Sequence, residues 1–188
     1  MKIFIILASY LIGSISFAGI IARFKKIDLK ANGTKNPGAT NVYRMIGPFY
    51  GIFTGVLDFS KGFIPTYLAK YIFEFDFSLV IMIALSIIVG HNWSIFNNFA
   101  GGRGLATSMG TLAAIEFYPA LIAFIIGGSI SLFLLKYFHI KIRIPYIVYP
   151  IYLSYVFFYQ MQSLLLFYGF AVMAIAMLRG WQVRKRYI

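Results

Sequence analysis

Three groups of residues in this sequence are polar where their surroundings are apolar, and their types suit work on phosphate. The first lies in GHNWSIFNNFAGGRGLATSMG, Gly90 to Gly110, where one cation, Arg103, stands among Gly101, Gly102 and Gly104. Flanking glycines let the backbone come close to a ligand. The run into Leu105-Ala106-Thr107-Ser108 reads as a turn opening a helix, whose free N–H groups beside a guanidinium favour an anion. The same residues also suit a turn holding one topology-setting arginine. The second group is DLKANGTKNPGATNVYRMIG, Asp28 to Gly47. Thr34, Asn36, Thr40 and Asn41 offer neutral hydrogen bonds there, and Arg44 a fixed cation. Twenty residues without an aliphatic run are more than a connector requires. The third is Asp58 with Lys61, inside the apolar run GIFTGVLDFSKGFIP. At i and i+3 they share a helical face and can pair. Such a pair either neutralises itself and packs the helix or faces an aqueous cavity. His91, beside Gly90, reads equally as a phosphate or hydroxyl ligand and as a cap for the loop.

The chemistry these residues allow is limited by what the chain lacks. It has no cysteine, two histidines and five acids, and no Ser-His-Asp or paired-carboxylate arrangement is visible. A thiolate nucleophile, a disulfide and a transition-metal site are therefore excluded or disfavoured, and no cofactor is called for. What remains is positioning and charge stabilisation. Transfer from a donor that carries its own leaving group fits, and an acyl phosphate, a mixed anhydride, is such a donor. A phosphorylated alcohol is a matching acceptor.

The elements that position these residues are membrane helices. Apolar residues make up 61% of the chain and the mean hydropathy is +0.82, against ~45–50% apolar in soluble domains. Seven apolar stretches can be drawn, at 3–23, 48–70, 77–95, 105–117, 119–137, 145–159 and 162–178. Several fall short of the ~20 residues that cross a bilayer untilted; merging 105–117 with the next stretch would lower the count. Charge favours seven. Arg23, Lys25, Lys26, Lys30, Lys35, Arg44, Arg103, Lys136, Lys141, Arg143, Arg179, Arg184, Lys185 and Arg186 then share one side. Lys2, Lys70, Glu74, Asp76 and Glu116 lie on the other. The positive-inside rule makes the first side cytoplasmic, with the N-terminus outside and the C-terminus inside. The run from Ile3 to Phe24 has no small-residue cleavage motif after it and reads as a retained span. The net charge of +12 is spread in short clusters between apolar runs, which speaks against a nucleic-acid-binding face. Trp93, Trp181 and His139 read as interfacial. The expected fold is an all-α polytopic integral membrane protein, one domain over residues 1–188, with about seven short helices and polar cytoplasmic loops.

At these residues the chain resembles the bacterial acyl-phosphate:glycerol-3-phosphate acyltransferase family of small integral membrane enzymes. The stretches that carry the likeness are YLIGSISFAGIIARFKKIDLKANG (Tyr10–Gly33), KNPGATNVYRMIG (Lys35–Gly47), LDFSKGFIP (Leu57–Pro65) and GHNWSIFNNFAGGRGLATSMG (Gly90–Gly110), in that order. The resemblance implies transfer of a fatty acyl group from acyl phosphate to the 1-hydroxyl of glycerol-3-phosphate, giving lysophosphatidic acid in phospholipid synthesis at the bacterial cell membrane. It implies that Thr34, Asn36, Thr40, Asn41 and Arg44 form the first site loop, with Thr34, Asn36, Asn41, Arg44 and His91 serving catalysis. Arg44, Lys61, Gly101, Gly102, Arg103, Gly104, Thr107 and Ser108 would hold substrate phosphate, with no metal. Its partners would be membrane lipid, the two substrates and a soluble enzyme that makes the acyl phosphate.

The chain departs from the family pattern at several of these places. Thr34-Lys35 stands where Ser-Gly is usual, and Arg103 where lysine is usual. Ile140 and Arg143 replace loop serines. The C-terminus, LRGWQVRKRYI, has Gly180 and Val183 where the family has a His and an Asn. Those two departures motivate a second reading, a non-catalytic homologue that binds phospholipid precursors or partners. A small transporter of a phosphorylated solute is a third, resting on the basic face and the Asp58–Lys61 pair.

Overall fold

The serines inside the first apolar run decide its shape. Helix α1 (Lys2–Ser14) stops at Ile15, whose backbone is extended, and α2 (Phe17–Phe24) starts from Ser16, whose hydroxyl accepts the Gly19 N–H at 3.1 Å. A serine N-cap gives the backbone a local alternative to continuing the helix. The single helix expected over 3–23 is therefore two helices. The computed structural model describes residues 1–138, 145–160 and 162–185. After α2 come α3 (Ala39–Met45), α4 (Pro48–Tyr67) with a π-helical turn over Leu68–Ile72, and α5 (Phe77–Asn92). A 3₁₀ turn (Ile95–Asn97) leads to α6 (Leu105–Ile115) and α7 (Phe117–Phe138). Last come α8 (Pro145–Tyr155), with a π-helical turn over Val156–Gln160, and α9 (Ser163–Lys185). No strand occurs among the described residues.

Three boundaries differ from the expected ones. The long first loop contains α3, which ends before Gly47 at φ 137°, a conformation open to glycine, and Pro48 then opens α4. Helix α5 ends at Asn92 rather than 95, and α9 continues past 178 to Lys185. The doubtful 105–117 stretch does form its own helix, because Glu116 is extended (φ −146°, ψ 92°) and separates α6 from α7. Among the described residues, four segments are long and apolar enough to cross a membrane: 2–24, 77–97, 117–134 and 163–183, with α6 and 147–158 as shorter apolar helices. The chain is a multi-pass membrane protein.

Small residues bring the helices together, as they must where lipid is as apolar as leucine. Helices α1 and α5 run parallel and meet at Gly13, against the Ile87 carbonyl, and at Gly90, against the Tyr10 carbonyl. Helices α4 and α6 repeat the device, with Gly62 against the Thr107 carbonyl and Gly110 against the Phe59 carbonyl. In all four a Cβ would fall inside van der Waals contact with backbone. Burial ranks the helices: 61% of the α5 span is buried, against 22% of the first span and of α7. So α5 is central, and α1 and α7 turn Phe4, Leu7, Ile122 and Phe124 outward, where lipid covers them. Ile81, Ile83, Ile87 and Ile88 form the core with Leu112, Ile115, Tyr149 and Tyr168. A smaller cluster, Ala18, Ala22, Leu29 and Val42, fastens α2, the first loop and α3 together.

The two ends of the bundle differ. At one, Lys2 pairs with Asp76 at 2.9 Å, and Lys70 donates to the Ile115 carbonyl. Asp76 caps α5, and the Ser78 hydroxyl, followed by Lys2, holds its carboxyl down at about 2. The other end gathers the polar loops.

Candidate functional site

Breaking the first span strips two carbonyls of their helical partners, at Ser14 and Ile15, and such groups must be satisfied at membrane depth. The Ser94 hydroxyl donates to Ser14 O at 2.5 Å, and Lys61 Nζ donates to Ile15 O at 2.6 Å. Lys61 also pairs with Asp58 at 2.9 Å and lies over the Phe17 ring at 5.5 Å. His91 Nδ1 stands 3.5 Å from the same Asp58 Oδ1. The side chains of Asp58 and Lys61 are each 4% exposed, that of His91 8%. The sequence left the Asp58–Lys61 pair and His91 as separate features with open roles. The fold joins them into one buried unit and gives Lys61 a further task, holding the helix break.

Directly above this unit lies the glycine loop. Gly102 sits against His91 Nε2 with no room for a Cβ, and Gly101 is equally tight against the His91 carbonyl. The Gly102 N–H donates to His91 O at 3.1 Å and the Gly101 N–H to Asn92 O at 3.2 Å. The expectation that these two glycines offer N–H groups to phosphate is thus corrected: their donors are spent on the end of α5, and what they contribute is close approach. The available donors lie one turn further on. Gly104, at φ 78°, caps α6, and the first helical bond is Ser108 N–H to Gly104 O at 2.8 Å. The N–H groups of Leu105, Ala106 and Thr107 therefore have no intrahelical acceptor. Arg103 is half-buried beside them. The Thr107 hydroxyl is buried and has no hydrogen-bond partner among the described residues, whereas Ser108 Oγ turns back to Leu105 O at 3.0 Å.

The first loop is folded around Asn41. Its amide accepts from the Thr34 N–H at 2.7 Å and donates to Leu29 O at 2.9 Å and Asn32 O at 3.0 Å. Asn41 is thereby the loop's internal staple. Asp28 tightens the preceding turn by accepting from the Lys30 N–H at 2.7 Å. Thr40 and Arg44 are exposed on α3, and Asn36 is buried. The loop meets the glycine loop through Lys35, Asn36 and Pro37, which close a cavity of about 20 Å³ with Lys30, Ala100, Gly101, Arg179 and Val183. A larger cavity, about 630 Å³, lies at the opposite end between Lys70, Phe77, Glu116 and Gln162. None of the expected site residues lines it.

Helix α9 supplies contacts that sequence reasoning did not foresee. Arg179, 1% exposed, donates to Gly101 O at 2.7 Å and Gly102 O at 3.2 Å, so it clamps the glycine loop from behind. Gln182 accepts from Arg179 at 3.3 Å and from Trp93 Nε1 at 2.9 Å. Trp93, expected at the lipid interface, is instead tied to α9; Trp181 is 56% exposed. Only the serines around Ile15 gave any sign of the helix break. His139, Ile140, Lys141, Arg143 and Arg186 lie outside the described residues, and Arg184 is in the last turn of α9.

A family model described as "Glycerol-3-phosphate acyltransferase" matches residues 3–187. A protein of that name from Aquifex aeolicus (strain VF5) is 39% identical over 130 residues, covering 69% of this chain and 68% of its own. One from Shouchella clausii (strain KSM-K16) is 39% identical over 160 residues and 78% of each chain. Two crystal structures of PlsY (YgiH), an integral membrane glycerol 3-phosphate acyltransferase, are similar over 98% of this chain and 90% of theirs. The glycerol 3-phosphate form has a TM-score of 0.84 at 31% identity, the lysophosphatidic acid form 0.81 at 30%.

Proposed function

The chain belongs to the glycerol-3-phosphate acyltransferase family, and on that premise we propose that it moves a fatty acyl group from acyl phosphate to the 1-hydroxyl of glycerol-3-phosphate. The observation that carries the reading is the start of α6. The N–H groups of Leu105, Ala106 and Thr107, without intrahelical acceptors, and the buried Thr107 hydroxyl lie in the first turn of α6, with Arg103 just before it, the setting in which a phosphate binds. The hydroxyl oxygen attacks the acyl carbonyl carbon, the bond from that carbon to the oxygen bridging to phosphorus breaks, and inorganic phosphate leaves with the electron pair. That phosphate takes the hydroxyl proton, so the protein supplies placement and positive charge instead of a base. Arg44 is proposed as a further phosphate ligand from the first loop, with Thr34 and Asn36 beside it; Asn41 serves by holding that loop. Asp58, Lys61 and His91 form the rigid floor on which Gly101 and Gly102 rest. The acyl chain lies along the apolar helices, which is why such a site is built in a membrane.

The same proposal includes seven spans over a single domain with the site end cytoplasmic, the N-terminus outside and the C-terminus inside. The cations of α2, the first loop and Arg103 lie at that end. A soluble enzyme producing acyl phosphate would deliver the donor there. Val183, apolar and 5% exposed on the wall of the small cavity, favours a second reading: a homologue that binds glycerol-3-phosphate without turnover.

Purified protein given palmitoyl phosphate and labelled glycerol-3-phosphate, with palmitoyl-CoA as control donor, decides between them. Lysophosphatidic acid from the acyl phosphate alone is the expected result. Arg103→Ala should then lower kcat/KM by about 10²–10³, the scale for losing one preorganised charge-stabilising donor. Saturable glycerol-3-phosphate binding with no product establishes the second reading.

A further inference from the structure

We infer that Lys35 is an anion ligand in a second phosphoryl subsite, formed with Lys30, Asn36 and Arg179 and separate from the start of α6. The inference rests on the proposed acyl transfer, a reaction with two phosphorylated substrates and therefore two phosphates to place. The first loop projects Lys35, Asn36 and Pro37 onto Ala100 and Gly101, and α9 closes the far side with Arg179 and Val183. The enclosed space, about 20 Å³, has room for one oxygen atom of a phosphoryl group. Lys30 and Lys35 are exposed residues on its outer wall, so their flexible side chains can swing aside to admit the rest of the group.

Charge selects an anion. Three of the eight lining residues are cations and none carries a carboxylate. Arg179 forms the floor while its bonds to Gly101 O and Gly102 O keep it in place. Asn36, 8% exposed, adds a neutral amide to the wall. The backbone gives a second, independent argument. Lys35 has φ 53°, in the left-handed region, where a side chain with a Cβ costs ~1–2 kcal/mol and glycine costs nothing. Lysine stands there against that preference, with its residue on the wall of a cationic cavity. Lys35 and Val183 thus line the same space. On the α9 wall Val183 brings no hydrogen-bonding group, and the first loop brings a cation.

The backbone also makes the test clean. Lys35→Gly suits φ 53° and removes the charge without straining the fold, and Lys35→Arg keeps the charge. For the purified full chain in detergent, the KM of each substrate and the inhibition constant of inorganic phosphate are measured separately. Lys35→Gly is expected to raise one KM about tenfold, the scale of one charge-assisted hydrogen bond. It should weaken inhibition by phosphate by a similar factor, with Tm unchanged or higher, and Lys35→Arg should restore both. A rise for glycerol-3-phosphate assigns the subsite to the acceptor; a rise for acyl phosphate assigns it to the donor. If both KM values and the phosphate constant stay within about twofold of wild type, the subsite does not exist. If wild type shows no turnover, acyl transfer fails instead. Calorimetric binding of inorganic phosphate to wild type and Lys35→Gly then decides the subsite: equal affinity overturns it, and weaker binding to the glycine variant upholds it.

Discussion

A carboxylate buried at membrane depth persists only with partners, and Asp58 has Lys61 at 2.9 Å and His91 at 3.5 Å. Removing one charge of such a pair leaves the other buried and uncompensated, at a cost of about 3–5 kcal/mol. Asp58→Asn, which keeps the shape, is therefore expected to lower the Tm of the detergent-solubilised protein by several degrees or more. It should also disturb the glycine loop, because His91 underlies Gly102. A variant as stable as wild type would show that the pair is expendable. The pairing of Asp58 with Lys61 was legible from their i, i+3 spacing. The participation of His91, thirty residues further on, was not, because nothing local in the sequence brings the end of α5 against the middle of α4.

Between elements, the decisive contacts are glycine seams. Gly62 and Gly110 let α4 and α6 approach to backbone contact, which places Thr107 beside the ion-pair helix. Gly62→Leu is expected to force the two helices apart, abolish turnover and lower Tm. Gly128→Ala on α7 should be tolerated or slightly stabilising, since a Cβ there meets nothing within 4 Å and alanine is the better helix former. Equal behaviour of the two variants would remove the seam from the argument. The sequence showed helical glycines but could not rank them. A glycine that fills a helix crossing and one that faces open space look alike until a partner helix is present.

For the whole molecule, the arrangement puts cations at the site end, while the other end carries the Lys2–Asp76 pair, Glu74 and Glu116. The chain has no cysteine, so single cysteines can be introduced without background labelling. In sealed right-side-out vesicles an impermeant maleimide is expected to label Glu74→Cys and to leave Ala31→Cys unreacted until detergent is added. Both positions are exposed. The reverse pattern would invert the proposed orientation and move the site to the outer face.

The sequence by itself determined the all-helical membrane class, a separate apolar stretch over 105–117, the two polar loops and the cations within them. Those follow from hydropathy, charge and the local habits of glycine, proline and serine, each of which acts over a few residues. Tertiary structure alone decided where the donors are. Gly101 and Gly102 carry N–H groups in any sequence reading, yet His91 and Asn92 consume them, and the start of α6 takes over. It also decided that Arg179 clamps the loop, that Trp93 belongs to α9 and that Lys35 and Val183 share a cavity. These are contacts between residues about eighty to a hundred and fifty apart, made when helices pack, and no local propensity encodes which side chain a distant helix will bring.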